Sequence, residues 1–324
     1  MHLVFDGSAD TTLADPAGFG RVAVLAGGSS AEREVSLAGA EAVLAALRRL
    51  GVDAQAFDPA VRPLAELPRL GVARAFIMLH GPGGEDGALQ GALEHLGIPY
   101  TGSGVAGCAT VMDKLRTKRL AAAVGIATAD YLVLEGPEDL QPALERLGLP
   151  LMVKPATQGS SVGMSKVERA ADLPAAFAAA AEIDTRVFAE SWIGGHQYTV
   201  GLLKGRALPA VRVQTPRPFL DYEAKHLDAD TRRLCPCGLS SAAESHLAQL
   251  ALAACAVTGA EGWASADFVA DATGRPLLLE INAVPGMTGR SLLPAAAGAA
   301  GLDFGALVWE VLSTSLCRSP RELA

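Results

Sequence analysis

Three oxygen-bearing side chains near the carboxyl end of the chain have the types and spacing of a divalent-cation site. Glu280 and Asn282 are two residues apart in an apolar run, so on a strand both side chains point to one face. Asp267 lies in the apolar run before it, across a short Asp-Ala-Thr-Gly turn that favours a hairpin. Two carboxylates and an amide oxygen, without His or Cys, suit Mg²⁺ held partly by substrate phosphates. The other interpretation, an exposed acidic hairpin, is disfavoured by the apolar flanks, because a buried Glu needs a partner.

Two lysines and a loop rich in glycine and serine could bind those phosphates. Lys154 closes the apolar run Leu-Met-Val-Lys and stands before the loop at residues 158–163. The backbone N–H groups of such a loop, with the Ser160 and Ser161 hydroxyls, can cover phosphates and exclude water. The loop fits neither the P-loop nor the dinucleotide-binding pattern, and a plain surface linker is the alternative. Lys114 is a second candidate phosphate ligand, with a solvated helix charge as its alternative.

A nucleotide base could be held by the segment that follows a later strand. Glu190 ends the run Val-Phe-Ala-Glu, where its carboxylate could accept a hydrogen bond from the amino group of adenine. Trp192 lies two residues on, so an apolar wall could supply contact area beside the base.

Two further glycine-rich segments each follow a strand in the first third of the chain. Residues 27–36, GGSSAEREVS, precede a helix whose N-terminus could bind an anion, and Glu32 could hold a substrate ammonium group. Residues 79–87, LHGPGGEDG, follow another strand at its carboxyl end, the edge at which parallel sheets bind ligands. Either segment could also be a simple turn.

The elements that must position these residues are strands alternating with helices, followed by sheet with helices. Periodicity predicts helices at about 35–50, 113–124, 140–147 and 241–258, and strands at 21–26, 52–57, 74–80, 131–134, 150–154, 187–192, 198–203, 207–213, 263–270 and 276–282. The early alternation indicates a parallel sheet with helices on its faces. We therefore predict an α/β and α+β protein: an N-terminal extension (1–20), an N-terminal α/β domain (21–112), a central subdomain (113–200) and a C-terminal subdomain (201–324). The long segment 214–240, which contains three prolines, is either functional or mobile.

Composition limits the class of protein. The 324 residues suffice for two or three domains, and the net charge of −8 disfavours a general nucleic-acid binder, which needs clustered Lys and Arg. No apolar run approaches the roughly 20 residues that cross a bilayer, and the sequence shows no signal-peptide pattern. The five cysteines are scattered and indicate reduced thiols. We expect a cytoplasmic protein with neither nucleic acid nor membrane as a partner.

Eight motifs together resemble the D-alanine–D-alanine ligases of the ATP-grasp superfamily, over roughly residues 20–315. In chain order they are GGSSAEREVS, LHGPGGEDG, PYTGSG, MDKLRTK, VKPATQGSSVGMSKV, DYEAKH, CPCGL and LLLEINAVPGMTGRSL. The resemblance implies a three-domain ATP-grasp architecture with ATP held between two sheets. It also implies a homodimeric enzyme of peptidoglycan synthesis that uses ATP and D-alanine, with two Mg²⁺ ions (Mn²⁺ as a substitute).

The resemblance further implies roles for individual residues. The ATP site would contain Lys114, Lys154, Ser160, Ser161, Glu190, Trp192, Gln197 and Lys225, and the metal ligands would be Asp267, Glu280 and Asn282. D-alanine would be bound by Glu32, His80, Gly286, Ser291 and Leu292, with Glu32 on the first ammonium group and the last three on the second D-alanine. The catalytic residues would be Glu32, Ser160, His226 and Arg290. In the implied reaction a D-alanyl phosphate forms first and the amine of the second D-alanine then attacks it.

The chain departs from the family pattern at five positions near this centre: Ser265 for Arg, His226 for Tyr, Gln197 for Glu, Ala283 for Thr and Gln158 for Glu. Arg290 is the candidate to compensate for the arginine absent at Ser265. Three hypotheses follow. The chain is an active D-alanine–D-alanine ligase, a ligase of the same mechanism for a D-hydroxy acid or another D-amino acid, or an impaired paralogue that binds nucleotide or D-alanine.

Overall fold

The structure, a computed structural model, describes residues 15–217 and 230–317 of the chain. Within these ranges three sheets with helices packed against them form the molecule. The described residues begin with a 3-10 turn at Pro16–Phe19, inside the segment predicted as an extension. Phe19 is buried there, and its ring packs edge-on against Trp309 with centroids 4.9 Å apart.

The first sheet is parallel, with the order β2-β1-β3. Its strands are β1 (Arg21–Leu25), β2 (Ala54–Phe57) and β3 (Val72–Ile77), accompanied by helices α1 (Arg33–Arg49) and α2 (Ala88–His95). All of β1 after its first residue is buried, as in a parallel strand covered on both faces. The predicted parallel sheet is confirmed, and the carboxyl ends of β1 and β3 lead into the two glycine-rich segments.

Two short helices, α3 (Val105–Met112) and α4 (Lys114–Ala123), lead to the second sheet. Asp113 separates them and caps α4, its carboxylate accepting from the backbone N–H groups of Leu115 and Arg116 at 3.1 Å. The second sheet is antiparallel, with the order β4-β7-β5-β6. It consists of β4 (Tyr131–Leu134), β5 (Leu151–Pro155), β6 (Ser165–Val167) and β7 (Val187–Ser191), with helices α5 (Leu140–Leu147) and α6 (Leu173–Ala181).

The third sheet is also antiparallel, with the order β11-β10-β8-β12-β13 and β9 paired to β8. Its strands are β8 (Gln197–Leu203), β9 (Arg206–Ala207), β10 (Val211–Gln214), β11 (Arg232–Leu234), β12 (Trp263–Ala270) and β13 (Pro276–Asn282). Its helices are α7 (Ser241–Thr258), α8 (Leu292–Ala299) and α9 (Phe304–Ser313). The predicted mixture of α/β and α+β architecture is confirmed.

Two details of this sheet differ from the sequence prediction. The strand expected at 207–213 is divided into β9 and β10, because Pro209 between them has no N–H to donate to a sheet ladder. The segment 214–240 contains strand β11, which extends the sheet beside β10. Residues 218–229 of that segment lie outside the described ranges.

The proposed domain boundaries are compatible with most of the elements but cut one strand. The boundary between 200 and 201 falls within β8, whose whole length pairs with β12. We keep the four regions as a proposal and place β8 as a unit with the third sheet.

Different apolar cores hold different parts of the described chain together. The largest core joins the first sheet and α1 to α8 and α9, with Leu47 and Leu312 fully buried in it. A second core, which includes Leu173, packs α5 and α6 against the central sheet. In the described ranges, no single helix is both long and apolar enough to cross a membrane; Leu292–Ala299 and Phe304–Cys317 reach that size only as a pair bent by 106°.

Candidate active site

The three predicted metal ligands lie together on one face of the third sheet. Asp267 on β12 is paired directly with Glu280 on β13, and Ser265 with Asn282. Asn282 Nδ2 donates a hydrogen bond to Asp267 Oδ2 at 3.2 Å. The Thr199 hydroxyl on β8 donates to the other oxygen, Oδ1, at 2.5 Å. The carboxylate of Asp267 is therefore held in a fixed orientation by its two neighbours.

A β-bulge shapes this face. The register between β12 and β13 shifts after Asp267, because Phe268 pairs with Leu278 and leaves Leu279 as an extra residue. Leu279 and Glu280 both line the same cleft. The bulge thus brings an apolar side chain next to the carboxylate.

The cleft between the central and third sheets contains most of the predicted nucleotide site. It measures about 740 Å³ including its opening to solvent. Residues from both sheets line it, among them Lys154, Ser161, Glu190, Trp192, Gln197, Asp267 and Glu280. Lys114 reaches its edge, with Nζ 3.2 Å from Glu280 Oε2 and 2.6 Å from the carbonyl oxygen of Gln158. The candidate phosphate ligands and metal ligands therefore face a common space.

The carboxylate of Glu190 is enclosed by two ammonium groups. Lys154 contacts Oε1, and Lys118 Nζ lies 2.7 Å from Oε2. Burial would raise the pKa of Glu190, but the two lysines outweigh it and lower the pKa to about 2. The predicted contact of this carboxylate with adenine stays a prediction, and it would compete with these two ion pairs.

The serine loop of the central region reaches the N-terminal domain. The Ser160 hydroxyl donates to Glu32 Oε2, and both Ser160 and Ser161 adopt positive φ, 47° and 61°. Glu32 precedes the first turn of α1 and is 7 % exposed. A Cβ added at Gly159 would stand 2.4 Å from Glu32 Oε1. The absence of a side chain at Gly159 therefore lets the loop approach the carboxylate that we predict to hold an ammonium group.

The second glycine-rich segment, residues 79–87, contacts the residues that follow β13. Glu85 accepts from the backbone N–H of Gly81 at 2.8 Å and from that of Val284 at 3.1 Å. Burial, reinforced by the nearby Glu32 carboxylate, raises the pKa of Glu85 to about 8. His80 also hydrogen-bonds the Val284 backbone; burial lowers its pKa to about 4, and its Nε2 has no partner among the described residues. His80 is therefore a neutral, buried imidazole packed against the Val284 backbone.

The residues predicted for the second D-alanine lie in one turn. Ser291 immediately precedes α8, and its Oγ accepts from the backbone N–H of Thr288 in the preceding turn at 3.0 Å. A Cβ added at Gly286 would stand 2.7 Å from the same Oγ. Leu292 is the first residue of α8. Gly286, Ser291 and Leu292 are therefore adjacent, as their predicted shared role requires.

The positions that depart from the family pattern have distinct surroundings. Ser265 is buried beside Asn282, whose Nδ2 lies 3.5 Å from its Oγ. Arg290 is exposed and close to Arg233, whose pKa is lowered by burial and then by the Arg290 charge. The proposal that Arg290 compensates for Ser265 stays a prediction. Lys225 and His226 lie outside the described residues.

Sequence reasoning missed three residues of this centre: Lys118, Thr199 and Glu85. Lys118 had a usable signal, since it lies four residues after Lys114 and so on the same helical face. Thr199 contacts Asp267, and Glu85 contacts the backbone of Val284, so each partner is far away in the sequence. The residues around Thr199 and Glu85 contain no pattern that predicts these contacts.

Comparisons with known proteins identify the same family and together cover nearly the whole chain. Residues 120–313 match the family described as D-ala D-ala ligase C-terminus, and residues 62–103 match D-ala D-ala ligase N-terminus. The chain is 55 % identical over 299 residues to the D-alanine–D-alanine ligase of Alkalilimnicola ehrlichii, covering 92 % of this chain and 96 % of that protein. It is 51 % identical over 316 residues to D-alanine–D-alanine ligase B of Pseudomonas syringae pv. tomato, covering 98 % and 99 %.

A solved structure shares the arrangement of the elements. The D-alanine–D-alanine ligase of Bacillus anthracis complexed with ATP superposes with a TM-score of 0.80 at 30 % identity, covering 92 % of this chain and 97 % of that one. Sequence and structure therefore agree, and the chain belongs to the D-alanine–D-alanine ligase family.

Proposed function

We propose that the chain is an ATP-dependent ligase that joins two D-alanine molecules through a D-alanyl phosphate. The observation that carries this proposal is the cleft between the central and third sheets. There Lys154 and Lys114 stand opposite the oxygen ligands Asp267 and Glu280, as phosphoryl transfer from ATP to a carboxylate requires. The B. anthracis relative was solved in complex with ATP, which supports ATP as the nucleotide.

The residues at the end of the cleft fit Mg²⁺ bound together with phosphates. The described residues include no group of three or more His, Cys, Asp and Glu side chains that would hold a metal by themselves. Two carboxylates and an amide on adjacent strands are instead an incomplete set of hard oxygen ligands, which substrate phosphates can complete. Asp267, Glu280 and Asn282 would hold the metal, and it would neutralise charge on the transferring phosphoryl group.

Side chains of the protein would bind the two D-alanine molecules and exclude water. Glu32, oriented by Ser160, would bind the ammonium group of the first D-alanine and direct its carboxylate toward the γ-phosphate. The family resemblance places His80 near that carboxylate, where burial keeps the pKa of the imidazole at about 4, so the side chain would be neutral at working pH. The serine loop would exclude water from the acyl phosphate, which water would otherwise hydrolyse. Ser291 and the turn from Gly286 to Leu292 would position the second D-alanine.

An assay of product and phosphate tests this proposal. The protein is incubated with ATP, Mg²⁺ and D-alanine; phosphate release is measured and the product is identified by mass. We expect the D-alanyl-D-alanine dipeptide. Phosphate without dipeptide, with a product formed only after D-lactate or another acceptor is added, would favour a different second substrate. No phosphate with any acceptor, despite ATP binding, would favour the impaired paralogue, which Ser265 motivates.

The metal proposal has its own test at Thr199. Replacing Thr199 with Val removes the hydroxyl that orients Asp267, and loss of such a partner typically lowers metal affinity about 10–100-fold. We expect Thr199→Val to raise the Mg²⁺ concentration needed for half-maximal activity, while Thr199→Ser, which keeps the hydroxyl, stays near wild type. Equal Mg²⁺ dependence in both variants would contradict the assignment of Asp267 as a ligand.

The biological setting is a further proposal. A dipeptide of D-alanine is a precursor of peptidoglycan, and an enzyme that consumes ATP would work in the cytoplasm, where ATP is available. The family resemblance supports a homodimer, which light scattering of the purified protein would test.

A further inference from the structure

Helix α4 carries two lysines on one face, and the second is buried behind the cleft. Lys114 and Lys118 are one turn apart, so both point from α4 toward the nucleotide site. The Lys118 side chain is only 2 % exposed, and its Nζ lies 3.4 Å from the carbonyl oxygen of Ala129 and 5.5 Å from the centre of the Tyr131 ring. Lys118 does not line the cleft, whereas Lys154 and Glu190 do. Lys118 therefore stands too deep to contact a nucleotide in the cleft.

Lys118 nevertheless shares its partner with a residue that does line the cleft. The Glu190 carboxylate contacts Lys154 through Oε1 and Lys118 through Oε2. Pairing in the central sheet explains the arrangement: Met152 on β5 and Tyr131 on β4 both pair with Glu190, and Lys154 follows two residues after Met152 on the same face. The three charged side chains form one buried group, with two ammonium ions and one carboxylate.

The net charge of this group depends on Lys118. The carboxylate of Glu190 remains ionised between the two lysines, so the three residues carry a net charge of +1. Without Lys118 the remaining Lys154–Glu190 pair would be neutral, and Glu190 would hold Lys154 by both oxygens. We infer that Lys118 is a positioning residue for ATP: it takes half of the Glu190 carboxylate and so keeps Lys154 available as a cation for a phosphate. This inference rests on the proposed binding of ATP in the cleft.

A charge-balance cycle tests the inference by direct binding. Lys118→Met makes the group neutral, and Lys118→Met with Glu190→Gln restores +1 on Lys154 alone. Because Coulomb interactions are strong in a partly buried site, we expect Lys118→Met to weaken binding of Mg·ATP, measured by calorimetry, about 10–100-fold. The double variant should recover binding of Mg·ITP, which lacks the adenine amino group assigned to Glu190, to within about threefold of wild type. A role in packing alone predicts the opposite, since a second substitution at a buried position would not restore binding.

Two further measurements distinguish the other outcomes. Mg·ITP lacks the amino group of adenine but carries the same phosphates. If Lys118 acts on phosphate binding through Lys154, Lys118→Met should weaken the binding of Mg·ATP and of Mg·ITP equally. A loss of affinity confined to Mg·ATP would show that Glu190 contacts the base, and would overturn the inference. The KM for D-alanine should stay within about twofold in Lys118→Met. If Lys118→Met does not fold, Lys118→Gln and its combination with Glu190→Gln replace it. Unchanged Mg·ATP affinity in the single variant, or no recovery in the double variant, would also overturn the inference. Failure of the wild-type protein to bind Mg·ATP would instead count against the proposed function.

Discussion

Ser265 is one of the five positions at which the chain departs from the family pattern. It lies two residues before Asp267, on the same face of β12 and beside Asn282. The family resemblance places an arginine there, which would stabilise charge on the transferring phosphoryl group and on the tetrahedral intermediate. Removing one such donor typically costs about 10²–10³ in rate.

The change Ser265→Arg should therefore raise turnover, by about tenfold or more, because it restores a cation beside the reacting groups. The measurement is kcat for dipeptide formation at saturating ATP and D-alanine. Ser265→Met is the matched control, since it adds a long side chain without charge and should not raise kcat. An unchanged or lower kcat in Ser265→Arg would show that the protein compensates elsewhere, with Arg290 as the residue to test next.

His80 contributes a pH dependence of stability with a defined sign. Its folded pKa of about 4 lies below its ordinary value of 6.5, because burial disfavours the charged imidazole. Between these values the unfolded chain binds a proton that the folded chain does not. Stability is therefore lost as pH falls through this window, by about 2 kcal/mol from pH 7 to pH 5.

The test compares urea unfolding of wild type and His80→Gln at pH 7 and pH 5. Other groups titrate in both proteins, so the difference between them isolates His80. The loss of stability at pH 5 should be smaller in His80→Gln by roughly 2 kcal/mol. The same pH dependence in both proteins would mean that His80 is protonated in the folded state.

The loop that precedes β6 connects the central region to the N-terminal region at the proposed substrate site. Its Ser160 holds Glu32, which is 128 residues away in the sequence, and its Gly159 leaves room for the same carboxylate. The loop has two neighbouring serines in left-handed conformation, which costs free energy that surrounding contacts must offset. The hydrogen bond from Ser160 to Glu32 is one contact that holds this conformation.

We predict that Gly159→Ala raises the KM for the first D-alanine about tenfold with little loss of stability. The new methyl group would displace the Glu32 carboxylate, which is the flexible end of a side chain, and so misplace the group that we propose to hold the ammonium. Steady-state kinetics and a thermal melt give the two readouts. Gly298→Ala is the control, because a Cβ there has no neighbour within 4 Å. Normal kinetics in Gly159→Ala would remove Glu32 from the substrate site.

At the scale of the whole molecule, different apolar cores hold different parts of the described chain. The largest core joins the first sheet to α8 and α9, so described segments that are far apart in the sequence are packed together. The core beneath α5 and α6 belongs to the central sheet alone. The cleft lies where the central sheet faces the third sheet, so its two walls belong to parts of the chain with different apolar cores.

This division predicts two different responses to cavity-forming mutations. Leu173→Ala and Leu312→Ala each remove a fully buried side chain and should each cost about 2–5 kcal/mol locally. Native-state hydrogen exchange should show faster exchange confined to the central sheet for Leu173→Ala, and spread over the first sheet and α9 for Leu312→Ala. Equal acceleration throughout the protein in both variants would show a single cooperative unit.

Local pattern alone was enough to predict the parts of this protein that depend on short-range geometry. The period-two alternation and the turn after Ala270 placed Asp267, Glu280 and Asn282 on one face, and the structure confirms that pairing. The apolar run that Lys154 closes likewise predicted a strand ending at the cleft. Such features follow from the backbone of a few neighbouring residues, and the family motifs added the order of the domains.

Only the tertiary structure decided how these parts are joined. Glu85 binds the backbone of Val284 from 199 residues away, and the Ser160 hydroxyl reaches Glu32 from another domain. The sequence suggested Glu190 as a partner for adenine, whereas the packing of α4 on the central sheet surrounds it with Lys118 and Lys154. The physical reason is that a charged group buried in a low-dielectric interior must find its counter-charge in three dimensions, and sheet stacking determines which counter-charge is within reach.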